Sequence, residues 1–394
     1  MVVNNINNYY RYNTTINFIN ENTLKSPEIP KDTFIQNNNS NLIISQLDKI
    51  IEKLQKLGIY NKELLYKIVY NLPPYKQRAF LAQFESLVDI LSSNDLEKKL
   101  HPKVVKAINE SVVYYDNFKE VREFKDLKDF AIKLLIDLIN SLSDFNTINQ
   151  GYKGTCAQTA VERSIAERNP EQYVKIIKDL ITQGEYIAPD GSKIPLNSGG
   201  IRKTKDEQND PRYLTTRILT PSLMEFYHDK NIFQDDYDED NDVEINNGIK
   251  GSNADKTASA IYNTQYEFVN IENYNSDSKI FILANLLRNS RYPIFIYVNY
   301  SPNPIESANH VLELKNITQN SITVSNPWGQ IETYTNEIKH IYNSKYPKGY
   351  QTPIRNYEDF IRRIGFIAAP RELILLTLNS DPFLSRFIPI FKFY

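Results

Sequence analysis

The chain of 394 residues has a single cysteine, no excess of charge of either sign and no long apolar run. One cysteine cannot form an intramolecular disulfide, which excludes a fold held together by disulfide bridges. A formal net charge of −2 gives no electrostatic reason to expect a nucleic-acid partner or attraction to an anionic membrane. Because no stretch reaches the length of a membrane-spanning helix, we expect no stable membrane insertion.

The N-terminal third of the chain is patterned for helices. Residues 1–40 are polar, rich in Asn and without periodicity, so we expect a disordered or loose N-terminal arm there. In residues 41–120, apolar residues recur at helical spacing between Gly and Pro breaks, which predicts an N-terminal helical domain. The apolar faces of these helices are explained most simply as the hydrophobic core of the domain. Whether the domain also binds a partner stays open.

The rest of the chain changes from helices to strands. A helix beginning at Cys156 and another beginning at Pro170 are followed by a hairpin with Asp190 and Gly191 at its turn. Farther along, residues 292–300 are apolar and β-branched, and two strands flank the polar turn at residues 318–321. Helices first and an antiparallel sheet afterwards predict an α+β fold. We expect residues 121–345 to form this domain and residues 346–394 to be a C-terminal extension packed on it.

The acidic segment at residues 235–244 has Asp at alternate positions, as an EF-hand calcium loop does. The rest of that motif is missing. Asn241 stands at the sixth position, where Gly is needed, and Asn247 stands at the twelfth, where Glu is needed. We therefore expect a solvated loop rather than a calcium site.

The only cysteine lies where a helix is predicted to begin, in the segment NQGYKGTCAQTA at residues 149–160. A thiol attacks a carbonyl only as a thiolate, and a helix N-terminus favours that negative charge through its unpaired N–H groups and its dipole. Cys156 is therefore a candidate nucleophile, although a lone cysteine can also be a small buried apolar residue. Gln150, on the preceding turn, is a candidate donor to the oxyanion of acyl transfer, or else an ordinary polar loop residue.

A nucleophilic cysteine needs a histidine to accept its proton and a third group to hold the imidazole in the right tautomer. Among four histidines, His310 begins an apolar strand. Asn326 ends the strand that pairs with it across the turn, so we expect these two side chains to meet. The competing interpretations are a hydrogen-bonded structural histidine and an asparagine that begins a turn before Pro327.

Together these residues resemble the papain-like cysteine protease superfamily, and its calpain-like branch in particular. The family has a Gln, a Gly-containing turn and the catalytic Cys opening a helix, which matches QGYKGTC at residues 150–156. Its Asn is followed by a small residue or Pro, then Trp and Gly, which matches NPWG at residues 326–329. The likeness spans residues 140–345. The family usually has Trp directly after the Cys, where this chain has Ala157, and the papain disulfides are absent.

The resemblance implies a papain-like fold, in which a helical subdomain carrying the Cys helix packs on an antiparallel sheet or barrel. It also implies that Cys156 is the nucleophile, His310 its base and Asn326 the residue that orients the base. Gln150 and the Cys156 backbone N–H would form the oxyanion hole. The residues expected to contact substrate are Gly151, Gly154, Asn309 and Trp328. The Trp328 ring would also shield the His–Asn contact from water.

The implied activity is hydrolysis of peptide or isopeptide bonds in a protein substrate, with no metal or organic cofactor. Two alternatives stay open: a deamidase, transglutaminase or acyltransferase with the same Cys and His, and a non-catalytic interaction protein. Residues 1–18 lack the basic and apolar regions of a conventional signal peptide. Richness in Asn, Ile, Lys and Tyr is typical of an AT-rich bacterial genome. The expected locations are the bacterial cytoplasm or, for a toxin or effector acting on a host protein, export by a specialised secretion system.

Overall fold

The computed structural model describes residues 38–115, 119–151, 153–202, 210–227, 253–300, 310–337, 354 and 356–380. The chain divides into two compact units, residues 1–42 and residues 43–394. The described part of the first unit is the start of one helix, and the other described elements belong to the second unit. The acidic segment 235–244 and Asn309 lie outside the described residues.

Helices alone are described before the first strand, and prolines set where two of them begin. Pro74 and Pro102 each occupy the first turn of a helix, where a missing N–H group loses no partner. The sequence pattern indicated that the Pro73-Pro74 pair ends a helix; Pro74 also starts the next one. These helices are α1 (Asn38–Lys56), α2 (Lys62–Asn71), α3 (Pro74–Leu91), α4 (Leu96–Lys99) and α5 (Pro102–Glu110).

The middle of the chain carries the cysteine and is also largely helical. Its elements are β1 (Val112–Tyr115), β2 (Lys119–Arg122), α6 (Leu127–Ser143), α7 (Cys156–Arg168), α8 (Pro170–Gln183), β3 (Glu185–Ile187), β4 (Lys193–Pro195) and α9 (Leu214–Tyr227). Strands β1 and β2 form one antiparallel hairpin, and β3 and β4 form the predicted one. Gly184 ends α8 with a left-handed backbone, φ +76°.

Helix α9 runs through Pro221, a residue that normally ends or kinks a helix. Proline cannot bond the carbonyl four residues earlier, which belongs to Arg217. That carbonyl instead lies against Gly200, where a Cβ would be 2.1 Å away. Burial of the helix along nearly its whole length holds it together despite the lost hydrogen bond.

A six-stranded antiparallel sheet dominates the C-terminal half. Its elements are α10 (Asn253–Tyr262), β5 (Tyr266–Asn270), α11 (Ser276–Asn289), β6 (Ile294–Val298), β7 (His310–Ile317), β8 (Ser321–Asn326), β9 (Gln330–Thr335), α12 (Tyr357–Arg363), β10 (Ile364–Pro370) and α13 (Arg371–Ser380). The strand order is β5-β10-β6-β7-β8-β9. Strand β10 is thus an interior strand, although it lies in the segment expected to be an extension. The domain boundaries at residues 40, 120 and 345 stay predictions.

Both faces of this sheet are buried at β6, which explains the unbroken apolar run of that strand. Phe295 and Tyr297 join a core shared with α7, whereas Ile294, Ile296 and Val298 join a second core shared with α11 and α12. Alternate residues of a strand point to opposite faces, so a strand covered on both sides is apolar at every position. The chain is therefore α+β, with helices on both faces of the sheet. No described helix is long and apolar enough to cross a membrane.

Candidate active site

Cys156 is the first residue of α7, as the sequence predicts, and its side chain is partly buried against the core that α7 shares with the sheet. The structure buries α7 almost all round, because α8, α9, α10 and β7 pack against it. A helix enclosed in this way holds its first residue in a fixed place. Since α7 packs on β7, the helix that begins with Cys156 lies against the strand that begins with His310.

The loop before Cys156 is held through Gln150, which is buried. Its backbone N–H donates to the carbonyl of Pro327 at 2.8 Å, which joins this loop to the NPWG turn. Its side-chain Nε2 donates to the carbonyl of Lys153 at 2.9 Å. Nε2 carries a second hydrogen, and Oε1 has no partner among the described residues. Of these two groups, only the second hydrogen of Nε2 is of the kind that an oxyanion donor uses, because an amide oxygen only accepts.

Gly151 has a conformational role that is independent of substrate. Its φ is +61°, and a Cβ there would lie 3.1 Å from both the Arg212 and the Asp210 side chains. Glycine is therefore favoured on backbone and steric grounds. Substrate binding by Gly151 and Gly154 stays a prediction.

His310 and Asn326 meet as the hairpin predicts. His310 Nε2 and Asn326 Oδ1 are 2.9 Å apart, and both side chains are buried. The Trp328 ring stacks on the imidazole, with centroids 4.2 Å apart and planes 23° apart. Tyr300 closes another side, its ring centroid 4.8 Å from the imidazole in an edge-on arrangement. The His–Asn bond is thus enclosed by two aromatic rings.

Burial lowers the pKa of His310 from 6.5 to about 4, and the hydrogen bond to Asn326 opposes only part of that effect. Desolvation disfavours the charged imidazolium. At neutral pH the imidazole by itself is therefore uncharged and can accept a proton. Because Nε2 faces Asn326, the atom left to accept a proton is Nδ1.

Arg163, two turns after Cys156 on α7, links the helix to both neighbouring segments of the candidate site. Its buried guanidinium donates to Ser325 Oγ at 2.9 Å and to the carbonyl of Ile148 at 2.7 Å. It also donates to Asn146 Oδ1 at 2.9 Å and to the carbonyl of Gln330 at 3.3 Å. Ser325 precedes Asn326, and Ile148 lies two residues before Gln150. One cation therefore holds together the cysteine helix, the Gln loop and the strand that ends in Asn326.

The turn after Asn326 packs closely on the segment that leads into the Gln150 loop. Gly329 has φ +90°, and a Cβ there would lie 2.9 Å from the carbonyl oxygen of Asn146. Glycine in the NPWG motif is thus required by the backbone and by the approach of the neighbouring segment.

Two charged residues that support this cluster, Arg163 and Glu332, were not predicted from the sequence. Arg163 follows Cys156 by seven residues, a spacing that returns to the same helix face. Glu332 and Tyr334 alternate on β9, a spacing that puts them on one face of the strand. Those spacings are visible in the sequence, but charged residues are normally assigned to the surface.

Within the described residues, no group of three or more His, Cys, Asp or Glu side chains is arranged to hold a metal ion. Comparisons with protein-family models, with curated proteins and with solved structures found no match to this chain. A functional assignment therefore depends on the residues and geometry of the site itself.

Proposed function

We propose that this chain is a cysteine peptidase with a papain-like fold, which hydrolyses peptide or isopeptide bonds of protein substrates. The observation that carries the proposal is the bond of 2.9 Å between His310 Nε2 and Asn326 Oδ1 beneath the Trp328 ring. A buried histidine whose Nε2 is fixed by an amide oxygen has its other nitrogen available for a thiol. The Gln150 loop is bonded to the same turn, and the cysteine follows on a helix packed against the histidine strand.

In the proposed mechanism, His310 Nδ1 takes the proton of the Cys156 thiol. The thiolate attacks the carbonyl carbon of the substrate, and the resulting oxyanion accepts from Gln150 Nε2 and from the Cys156 backbone N–H. His310 then gives its proton to the departing amine, which leaves a thioester on Cys156. Water, deprotonated by His310, hydrolyses the thioester and releases the thiol.

Each supporting residue has a definite task in this scheme. Asn326 holds the imidazole plane while the ring gains and loses its proton. Trp328 and Tyr300 exclude water from the His–Asn bond, which strengthens that bond in a surrounding of low dielectric constant. Arg163 keeps the helix, the loop and the strand in register. The cytoplasmic and exported locations named above remain predictions.

The first test is the intact mass of the protein after exposure to an epoxide inhibitor of papain-like enzymes. The single cysteine makes the site of any thiol adduct unambiguous. We expect one adduct, lost in Cys156→Ala and formed at least about 100-fold more slowly in His310→Ala. His101→Ala is the matched control, because His101 lies at the start of α5 and serves there as a helix cap.

A protein that forms the adduct is then incubated with a mixture of protein substrates, and new peptide termini are sought by mass spectrometry. New termini that depend on Cys156 support hydrolysis of peptide bonds. Ammonia release from glutamine without new termini would instead indicate a deamidase. A folded wild-type protein with no adduct, or equal rates in wild type and His310→Ala, would refute the proposal.

A further inference from the structure

Glu332 is a buried carboxylate directly behind the His–Asn pair, and the proposed mechanism does not use it. It lies on β9 with 5% of its surface exposed. Asn326 Nδ2 donates to Glu332 Oε1 at 2.7 Å, and Gln330 Nε2 also donates to Oε1. The hydroxyls of Tyr300 and Tyr334 donate to Oε2 at 3.2 Å and 2.5 Å. Its described partners thus include four neutral donors, one of which is the amide of Asn326.

The chemistry of these groups determines which way each must point. An ionised carboxylate only accepts hydrogen bonds, so the NH₂ group of the Asn326 amide must face Glu332. The amide oxygen then faces His310, and the Trp328 backbone N–H, which donates to the same oxygen at 3.1 Å, favours the same orientation. An oxygen that faces Nε2 can only accept. The His310 proton must therefore reside on Nε2, which leaves the lone pair on Nδ1.

We propose that Glu332 is a positioning residue that selects the tautomer of His310 through the amide of Asn326. The inference depends on the proposed function, because the Nδ1 lone pair matters only if a thiol proton is to be accepted there. Without the carboxylate, the Asn326 amide loses the acceptor that favours its orientation. A reversed amide would present NH₂ to Nε2 and favour the tautomer protonated on Nδ1, which cannot take the thiol proton.

Tyr300 connects this carboxylate to the aromatic enclosure of the histidine. Its hydroxyl donates to Glu332, while its ring meets the His310 ring edge-on at 4.8 Å and the Trp328 ring edge-on at 5.6 Å. The Tyr334 hydroxyl lies 3.1 Å from that of Tyr300. The carboxylate therefore orients the amide and also holds in place one wall of the histidine pocket.

The described charged and titratable groups around this cluster come from several elements. His310 is on β7, Tyr334 is on β9 beside Glu332, and Tyr300 follows β6. Arg363, at the end of α12, donates to the carbonyl of Asn299 at 3.3 Å and pairs with Asp359. Burial is the larger cause of the lowered pKa of His310, and the hydrogen bond to Asn326 opposes it.

The test exchanges the polarity of the Asn–Glu pair. Asn326→Asp alone places two carboxylates against each other, and we expect it to slow Cys156 alkylation about 10–100-fold. Adding Glu332→Gln restores a hydrogen bond between the two side chains. The amide at position 332 now donates to the carboxylate at position 326, the reverse of the wild-type direction. The double variant is expected to recover to within about 10-fold of wild type. Each replacement is nearly isosteric with the residue it replaces. Thermal unfolding checks that each variant is folded.

A second readout is independent of the thiol reaction. Nitrogen chemical shifts of ¹⁵N-labelled histidine, with His310→Ala to assign the signal, report which nitrogen of His310 is protonated. We expect the Nε2–H tautomer in the wild type and a loss of that preference in Glu332→Leu. Glu332→Gln, which keeps one acceptor oxygen, is expected to retain the preference.

The possible outcomes separate the two proposals. A double variant no faster than Asn326→Asp, or a wild-type His310 protonated on Nδ1, would overturn the role of Glu332 and leave the peptidase proposal intact. Failure of wild-type Cys156 to react would refute the peptidase proposal instead. The tautomer would then still show whether Glu332 controls the imidazole, and an unchanged tautomer in Glu332→Leu would overturn that as well.

Discussion

The burial of His310 has a measurable consequence for stability in acid. His310 is 4% exposed, and burial lowers the pKa of its imidazole from 6.5 to about 4. As the pH falls through about 6.5, the unfolded chain takes up a proton that the folded chain does not bind until about pH 4. The unfolded state binds more protons in this window, so the free energy of unfolding must fall as the pH falls.

The size of the effect follows from the width of the window. Each pH unit between the two pKa values removes at most about 1.4 kcal/mol of stability. The window from 6.5 to about 4 therefore corresponds to a total of about 3 kcal/mol. That is a large share of the stability of an ordinary domain, which is about 5–15 kcal/mol.

The assay is urea unfolding at a series of pH values from about 8 to about 4. It is best made with Cys156→Ala, so that no thiolate can attract the imidazolium. The reference is Cys156→Ala combined with His310→Gln, because Gln cannot titrate but can still donate to Asn326. Asp255, whose pKa burial raises to about 6, contributes the opposite slope. Its contribution is common to both proteins and cancels in the difference.

We expect the protein that retains His310 to lose about 3 kcal/mol more stability over this window than the reference. Parallel stability curves would refute the reasoning, because they would mean that His310 titrates alike in both states.

Three further changes test the surroundings of the site. Arg163→Met should lower the free energy of unfolding, measured in urea titrations, by about 3 kcal/mol, because it leaves several buried acceptors without a donor. The control, Arg122→Met, replaces an exposed arginine and should change the free energy of unfolding little. Equal effects of the two substitutions would contradict the role assigned to Arg163. Glu162→Gln should remove a loss of stability that develops as the pH rises, since burial raises the pKa of this fully buried carboxyl above its usual range and folding then opposes its ionisation. Unfolding measured from acid to neutral pH should show a smaller fall of stability for this variant, and identical slopes would contradict the argument. Gly329→Ala should cost about 2 kcal/mol, from its φ of +90° and from the close carbonyl oxygen. Gly191→Ala has a similar φ of +88° with open space around it, so a thermal shift as large as that of Gly329→Ala would show that the close contact adds nothing.

Much of the local structure could be predicted because its signals act over a few residues. The starts of α7 and α8, the left-handed Gly184 and the hairpin of β7 and β8 follow from caps, prolines, glycines and turns. The same local reasoning brought His310 and Asn326 together across one turn. A bulge near Leu314 shifts the register between the two strands, and that irregularity was not predictable from the alternating pattern.

Arg163, Glu332 and β10 were not recognised, because their structural context depends on distant partners. Arg163 and Ser325 are separated by 162 residues. An arginine in a helix and a glutamate in a strand are ordinarily solvated, and only a complete set of partners makes their burial favourable. The place of β10 between β5 and β6 likewise depends on pairing with segments far earlier in the chain.

The sequence by itself determined the α+β class, the helix that begins at Cys156 and the meeting of His310 with Asn326. Each of these follows from backbone conformation and from side-chain alternation within a short segment. Only the tertiary structure decided that the Gln150 loop is bonded to the NPWG turn, that two rings enclose the imidazole and that burial makes it a weak base. It alone also decided that a carboxylate lies behind the amide. Those features depend on desolvation and on which donor faces which acceptor, and both are set by the packing of segments that are remote in the chain.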